Sequence, residues 1–135
     1  MNVWFALTHK IHPAHGAART WADSIESGTV VYFCRLTQLG LQRLLTNQSA
    51  MAEDLLTQSQ AWKAFDRIMA HSQNHMIEEP AGIDPLFRKF TDRKESSKKQ
   101  WADGYLAAFA EAAALRLVTF DKAPAGKLKG TVLLA

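Results

Sequence analysis

The alternation of short apolar runs with longer segments of helical periodicity is the feature that most constrains how this chain folds. Val30–Cys34 and Leu117–Phe120 are uncharged, rich in β-branched and aromatic residues, and too continuously apolar for half-exposed antiparallel strands. Segments of about ten or more residues with helical spacing separate such runs, as in units that build a parallel sheet. The sequence therefore predicts an α/β domain whose short parallel sheet carries helices on both faces.

Apolar spacing and helix-start signals give the rest of the element order. Pro13 and Pro85 suit first helical turns, because proline lacks an amide hydrogen that a helix start leaves unpaired anyway. Thr37 is the predicted N-cap of a further helix. The predicted helices are Pro13–Glu26, Thr37–Thr46, one from Thr57 or Ser59 that includes Met69, one opening at Asp84, and Gln100–Leu115; further strands are predicted at His75–Glu78, Arg116–Phe120 and Thr131–Leu134.

Length and composition fit one globular domain. The 135 residues are 47% apolar and 21% charged, and no repeat or Pro/Gly/Ser-rich linker divides them, so we expect a single domain over residues 1–135. The longest apolar stretch, residues 102–120, is interrupted by charges, which predicts no membrane partner. The start of the sequence lacks the pattern of a signal peptide, and the single cysteine, Cys34, cannot form an internal disulfide. These features favour a cytoplasmic protein.

The positive charge is concentrated in one segment. The net charge is +3, whereas the residues from Arg88 to Lys99 include six cations and two anions directly before the strongest predicted helix. One interpretation is a solvated connection between helices. The other is a cationic rim that attracts phosphate groups beside an active site.

Two aspartates stand where catalytic groups of a parallel sheet are expected. Asp121 directly follows the predicted strand Arg116–Phe120, and Asp103 lies near the start of the preceding helix. A helix antiparallel to the next strand returns its own start to the level of that strand's end, so both carboxylates can share one site. Two close carboxylates repel each other, and Mg²⁺ relieves that repulsion.

Each candidate also has a structural interpretation. Asp103 is equally consistent with a helix cap favoured by the helix dipole, and Asp121 with a turn residue. His12, His15 and Arg19 share one helical side, which resembles part of a zinc site but favours a solvated basic face. The tryptophans are not interleaved with cations and are therefore expected in the core or in an interface, namely Trp4, Trp21, Trp62 and Trp101.

These residues in this order resemble the PIN-domain family, specifically the VapC-type toxin ribonucleases of bacterial type II toxin-antitoxin systems. The most specific likeness is Ala102–Ala110 followed by Leu117–Asp121, in that order and at that separation. Asn2–Leu7, the helix around Trp21, and Phe33–Asn47 are similar to the family's earlier segments. The likeness extends over nearly the whole chain.

The resemblance implies a three-layer α/β/α fold and a metal-dependent endoribonuclease. Such proteins bind Mg²⁺ or Mn²⁺ with three or four acids, two of which carry over to Asp103 and Asp121. Thr119 matches a position that supports the metal ligands, and Asn2 one beside the first acid. The implied partners are RNA, a small cognate antitoxin protein and a second copy in a homodimer.

The sequence departs from the family pattern at two acids. The first acid would precede Asn2 by two residues, so we expect a first strand truncated at the N-terminus and a start codon assigned several residues late. The second falls where this chain has Gln38 and Gly40 in place of glutamate. Gln38 offers a neutral carbonyl that can coordinate a metal or hold a water molecule.

The predicted reaction is metal-assisted hydrolysis of an RNA phosphodiester without a side-chain nucleophile. The expected RNA-binding cations are Arg35, Arg43, Lys98 and Lys99. The missing first acid and the change at Gln38 leave an alternative open, in which the chain is a catalytically impaired PIN-fold module that binds RNA or antitoxin without cleaving.

Overall fold

Helices alternate with two pairs of parallel strands along the chain. The computed structural model describes residues 3–120 and 132–134. Contacts between residues divide the chain into two compact units, residues 2–78 and residues 79–135, which we call the N-terminal unit and the C-terminal unit. The predicted single domain over residues 1–135 stays a prediction.

The N-terminal unit contains one of the two strand pairs. Its elements are α1 (Val3–Thr8), α2 (His15–Ser24), β1 (Val31–Phe33), α3 (Arg35–Leu45), α4 (Gln48–Met51), a 3-10 turn (Ala52–Asp54), α5 (Gln58–Met69) and β2 (Asn74–Met76). The sequence assigns no element to residues 3–8, which form α1. Any part of the expected truncated first strand therefore lies outside the described residues.

Strands β1 and β2 are parallel, as predicted, with Val31 opposite Asn74 and Phe33 opposite Met76. Phe33 is fully buried, whereas Tyr32 on the opposite face is 38% exposed. The expected burial of this strand on both faces is therefore wrong for Tyr32. An aromatic residue fits both environments, so composition alone did not reveal the open face.

The core of the N-terminal unit forms where α3 and α5 pack together with β1. Leu41 and Leu45 are one helical turn apart on α3 and are fully buried with Phe33. Trp4 from α1 stacks on Phe33, with ring centroids 4.3 Å apart. The helical spacing of apolar residues therefore predicted the buried face of α3 correctly.

Helix starts follow side-chain capping. Thr57 is the N-cap of α5, and its hydroxyl accepts a hydrogen bond from the Gln60 amide at 3.1 Å. The predicted N-cap of α3 is wrong, because Cys34 caps this helix and Thr37 is its third residue. The Thr37 hydroxyl instead accepts a hydrogen bond from the Cys34 amide at 2.9 Å. A threonine near a helix start thus satisfies an amide from either position.

The C-terminal unit is built on a pair of closely packed helices. Its elements are α6 (Ile83–Thr91), α7 (Lys99–Ala112), β3 (Val118–Thr119) and β4 (Val132–Leu133), and the last two are parallel. Phe90 packs with Ala107 and Ala108 across the two helices. A Cβ atom at Gly104 would overlap the methyl group of Thr91, so only glycine fits this crossing.

The end of α7 differs from the sequence prediction. The helix ends at Ala112 rather than at Leu115, because Ala114 adopts a left-handed conformation with φ of 55°. The Leu115 amide donates to the Ala110 carbonyl at 2.8 Å, and the Ala114 amide donates to the Glu111 carbonyl at 3.2 Å. This pairing is a Schellman motif with alanine in the place that glycine usually takes. No helix among the described residues is long and apolar enough to cross a lipid bilayer.

Candidate active site

Asp103 is a buried carboxylate on α7. It is only 6% exposed and is the fifth residue of the helix. Among the residues that the structure describes, none donates a hydrogen bond to this carboxylate or forms an ion pair with it. Burial of an ionised carboxylate costs several kcal/mol unless a charge or a donor compensates it. The oxygens of Asp103 are not among the fully buried polar atoms that lack a partner, since His9 Nδ1 alone is such an atom in the described part of the chain. The carboxylate is thus mostly enclosed but still reachable, which suits a ligand for a cation.

The structural interpretation of Asp103 as a helix cap is wrong. Lys98 is the N-cap of α7, and the first turn of this helix contains no acidic residue. The predicted stabilisation by the helix dipole is also weak here, since that effect fades beyond the first turn. The helix begins one residue earlier than predicted, which moves Asp103 out of its opening turn. Neither feature explains why a carboxylate is buried at this point.

The expected second half of the site lies beside β3. Thr119 ends this strand and is 6% exposed, and its carbonyl accepts a hydrogen bond from the Leu134 amide at 2.8 Å. Asp121 and Asn2 lie outside the described residues. The prediction that the carboxylates of Asp103 and Asp121 converge therefore stays a prediction.

Asp103 fits a metal ligand in its chemistry. A carboxylate oxygen is the ligand that Mg²⁺ prefers, and burial without a described donor leaves its charge available to a cation. Within residues 3–120 and 132–134, no three His, Cys, Asp or Glu residues lie close enough to hold a metal ion together. A complete site would require Asp121 in addition.

Gln38 is held by a charged neighbour. It is 2% exposed, and its side-chain carbonyl accepts a hydrogen bond from the Arg35 guanidinium at 2.5 Å. Both residues lie in the first turns of α3, directly after β1. An oxygen that already faces a guanidinium is a poor ligand for a second cation, because the like charges repel. Gln38 is therefore better placed to orient Arg35 than to coordinate metal.

The predicted RNA-binding cations are all exposed. Arg35 and Arg43 belong to the N-terminal unit, at the start and in the last turn of α3. Lys98 and Lys99 belong to the C-terminal unit, at the start of α7. All six cations between Arg88 and Lys99 are exposed at the end of α6, in its connection to α7, or in the first turn of α7. Both interpretations of this segment remain open on exposure alone.

The expected solvated basic face is wrong for two of its three members, His12 and His15. His12 and His15 are half-buried; the His12 ring accepts a hydrogen bond from the Ala14 amide, and the His15 ring lies 2.8 Å from the Ala6 carbonyl. His9 lies 3.1 Å from Asp54. Burial, followed by the nearby His9 and His15, lowers the pKa of His12. The contact of His15 with the Ala6 carbonyl joins α2 to α1.

Of the two environments predicted for the tryptophans, the core is wrong for Trp62 and Trp101, and an interface stays a prediction. Trp4 and Trp21 are half-buried, but Trp62 is 53% and Trp101 is 59% exposed. Trp62 is exposed although Phe65, three residues further along the same helix, is buried. Two signals in the sequence could have predicted the exposure of Trp101 and the contact between Arg35 and Gln38. Trp101 directly follows the polar start of α7, and Arg35 stands three residues before Gln38, one helical turn away.

Comparison with known proteins identifies relatives in sequence and in fold. The chain matches the PIN domain family over residues 1–126. It is 40% identical over 131 residues to Ribonuclease VapC41 of Mycobacterium tuberculosis, from strains CDC 1551 / Oshkosh and H37Rv, with 90% of this chain and 86% of the relative covered. The crystal structure of Mycobacterium tuberculosis VapC20, described as a sarcin-ricin loop cleaving toxin, is similar with a TM-score of 0.65 at 16% identity. That similarity covers 96% of this chain and 94% of VapC20.

The family match and the identity to VapC41 define the class: the chain belongs to the PIN-domain family. Within that family it groups with the VapC proteins, as its identity to VapC41 shows. The predicted PIN-like α/β fold is confirmed, including parallel pairing of its short strands.

Proposed function

We propose that this chain is a metal-dependent endoribonuclease and the toxin component of a toxin-antitoxin pair. The ribonuclease VapC41, at 40% identity, supports the reaction class, and the VapC20 toxin shares the fold. The observation that carries the proposal is Asp103, which is buried without a described hydrogen-bond or ion-pair partner inside the most specific family motif. Hydrolysis of RNA phosphodiester bonds gives this carboxylate a use.

Asp103 and Asp121 would hold the ion, Mg²⁺ or Mn²⁺, as carboxylate ligands, with Thr119 in support. When bound, a divalent ion lowers the pKa of a water ligand and polarises a phosphate oxygen. The backbone of α7 keeps Asp103 in position, because Gly104 locks this turn of the helix against α6. No side chain of the protein needs to act as a nucleophile.

The exposed cations bind the substrate's backbone. Arg35, Arg43, Lys98 and Lys99 neutralise phosphate groups of the RNA, so affinity falls as salt rises. The Gln38 carbonyl limits the positions that the Arg35 guanidinium adopts, which lowers the entropy lost on binding. Gln38 thus acts as a positioning residue in place of an acidic ligand.

Cleavage of RNA by purified protein tests the proposal. We expect cleavage that requires Mg²⁺ or Mn²⁺ and stops in chelator. Asp103→Asn should reduce cleavage by on the order of 100-fold or more, since even outer partners of metal ligands are worth 10- to 100-fold. Glu111→Gln is the matched control, because Glu111 is exposed on the same helix. Full cleavage by Asp103→Asn would contradict the proposal.

A second candidate is an impaired PIN module that binds RNA or antitoxin without cutting. The engagement of the Gln38 carbonyl by Arg35 favours it, because the neutral side chain leaves the site with fewer acids. Calorimetric titration of the protein with Mg²⁺ separates the candidates. The nuclease shows binding that Asp103→Asn removes, whereas an impaired module binds RNA but releases no heat with the metal.

The VapC relationship also implies partners. We propose RNA as substrate, a small cognate antitoxin as inhibitor, a homodimer as the assembled state, and the cytoplasm as the location. Co-expression with the cognate antitoxin should suppress toxicity and yield a complex that co-purifies. Light scattering on the purified chain measures the oligomeric state directly, and a monomeric mass would contradict the dimer.

A further inference from the structure

The C-terminal unit contains a cleft that the proposed metal site does not use. We call it the α6–α7 cleft; it is about 750 Å³ and lies between α6, the connection after it and the start of α7. Its lining includes the aromatic rings of Phe87 and Trp101 and the guanidinium groups of Arg88 and Arg93. This volume suits one small planar ligand or one base of a larger ligand.

Trp101 is exposed and yet anchored. Its side chain is 59% exposed, while its ring centroid lies 6.1 Å from that of Phe87. Phe87 in turn packs edge-on against Tyr105 at 5.8 Å. The Tyr105 hydroxyl donates a hydrogen bond to Glu79 at 2.7 Å, which fixes this row of rings from the far end. An indole held in this way offers a rigid face for stacking at little entropic cost.

The charges of the cleft favour a base over a bare phosphate. Asp84, Asp92 and Glu95 line it together with the two arginines, so anions slightly outnumber cations there. Carboxylates repel phosphate but accept hydrogen bonds from the exocyclic amino groups of bases, and guanidinium groups donate to ring nitrogens and carbonyls. The exposed lysines just outside the lining, Lys89, Lys94, Lys98 and Lys99, supply the positive rim that flanking phosphates require.

We propose that the α6–α7 cleft binds one unpaired base of the RNA, stacked on Trp101. The inference rests on the proposed function and adds a subsite to it. Recognition of unpaired bases by an aromatic face with polar groups at the base edge is the usual mode for single-stranded RNA. Since Trp101 and Asp103 lie two residues apart on α7 and therefore on different sides of the helix, this base is not the one at the cut bond.

Binding to four labelled RNA homopolymers and to an abasic oligomer of equal phosphate number tests the proposal, with chelator present to prevent cleavage. We expect wild-type protein to bind at least one homopolymer more tightly than the abasic oligomer. Trp101→Ala should weaken that binding by about 5- to 150-fold, the value of one stacked base, and leave abasic binding unchanged. Trp101→Phe should retain much of the preference.

Trp62→Ala is the matched control, because Trp62 is similarly exposed but belongs to the N-terminal unit. Equal wild-type binding of the abasic oligomer and all four homopolymers would overturn the subsite, whichever variants fold. So would an unchanged base preference in Trp101→Ala. If Trp101→Ala alters only the oligomeric state or antitoxin binding, the cleft is a protein interface and the inference is wrong. If wild-type protein cleaves RNA but shows no base preference, the proposed function stands and only the base subsite is wrong.

Discussion

In the pair formed by Arg35 and Gln38, the residue type at position 38 decides whether the charge of Arg35 is neutralised. A glutamate at position 38 would face Arg35 as a salt bridge, whereas the amide holds the guanidinium through a single hydrogen bond and leaves its charge uncompensated. An exposed, uncompensated guanidinium is suited to a phosphate group. We therefore propose that Arg35, held by Gln38, binds a phosphate group of the RNA.

Arg35→Ala should weaken RNA binding and reduce the slope of log affinity against log salt by about one, because one phosphate contact is lost. The measurement is fluorescence anisotropy with labelled single-stranded RNA at several salt concentrations. Arg35→Lys keeps the charge and serves as the control, so its slope should match wild type. A slope unaffected by Arg35→Ala would remove Arg35 from the RNA interface.

His12 makes the stability of the N-terminal unit depend on pH. Burial and the neighbouring His9 and His15 lower the pKa of His12 below the ordinary value of 6.5. As the pH falls below 6.5, His12 is therefore protonated more readily in the unfolded chain than in the folded one. The contribution of His12 to the free energy of unfolding is therefore neutral above pH 6.5 and destabilising as the pH falls. His12→Asn keeps an acceptor for the Ala14 amide but does not titrate.

Thermal melts between pH 7.5 and 5 measure this effect. The melting temperature of wild type should fall more steeply with decreasing pH than that of His12→Asn. His71→Asn is the control, because His71 is exposed. Identical pH profiles for wild type and His12→Asn would show that protonation of His12 does not affect stability.

At the scale of elements, α7 combines a close crossing with an unusual end. Its crossing with α6 depends on Gly104, and Gly104→Ala should destabilise the protein by about 1–3 kcal/mol through overlap with the Thr91 methyl group. Thr91→Ser removes that methyl group and keeps the hydroxyl that donates to the Phe87 carbonyl at 2.6 Å. The double variant should therefore recover much of the loss in urea denaturation. Additive effects of the two substitutions would contradict this contact.

Ala114→Gly should stabilise the protein by about 0.5–1 kcal/mol, since alanine is strained in the left-handed conformation at the end of α7. Ala112→Gly is the control at the last helical residue and should destabilise by about 1 kcal/mol, because glycine lowers helix propensity. Chemical denaturation of both variants measures the difference. A loss of stability in Ala114→Gly would show that the Schellman motif does not govern this helix end.

Element existence was more predictable than element ends or exposure. The spacing of Leu41 and Leu45 and the capping signal at Thr57 act within a few residues, so they are legible in the sequence. The end of α7 was not predictable, because the six alanines of residues 107–114 all favour helix and the left-handed turn at Ala114 depends on hydrogen bonds that form only in the folded chain. Exposure of Trp101 depends on what packs around α7, and spacing does not encode that.

At the scale of the whole molecule, the sequence motifs predicted some features of the candidate site and not others. Asp103 was predicted from its motif and is buried, although the reason offered from the helix dipole was wrong. Gln38 was predicted as a metal ligand or a water-holding residue, and its contact with Arg35 argues for a different role. The roles of these positions stay predictions, because they depend on three-dimensional contacts of the side chains that motifs do not encode.

The central claim is that the buried charge of Asp103 exists to bind a divalent cation. Thermal stability of wild type and Asp103→Asn, measured in chelator and with Mg²⁺ or Mn²⁺, tests it most directly, since a ligand that binds only the folded state stabilises it. We predict that metal raises the melting temperature of wild type alone, because Asp103→Asn lacks the charge that holds the ion. Equal metal-induced shifts in both proteins, or none in wild type, would contradict the claim.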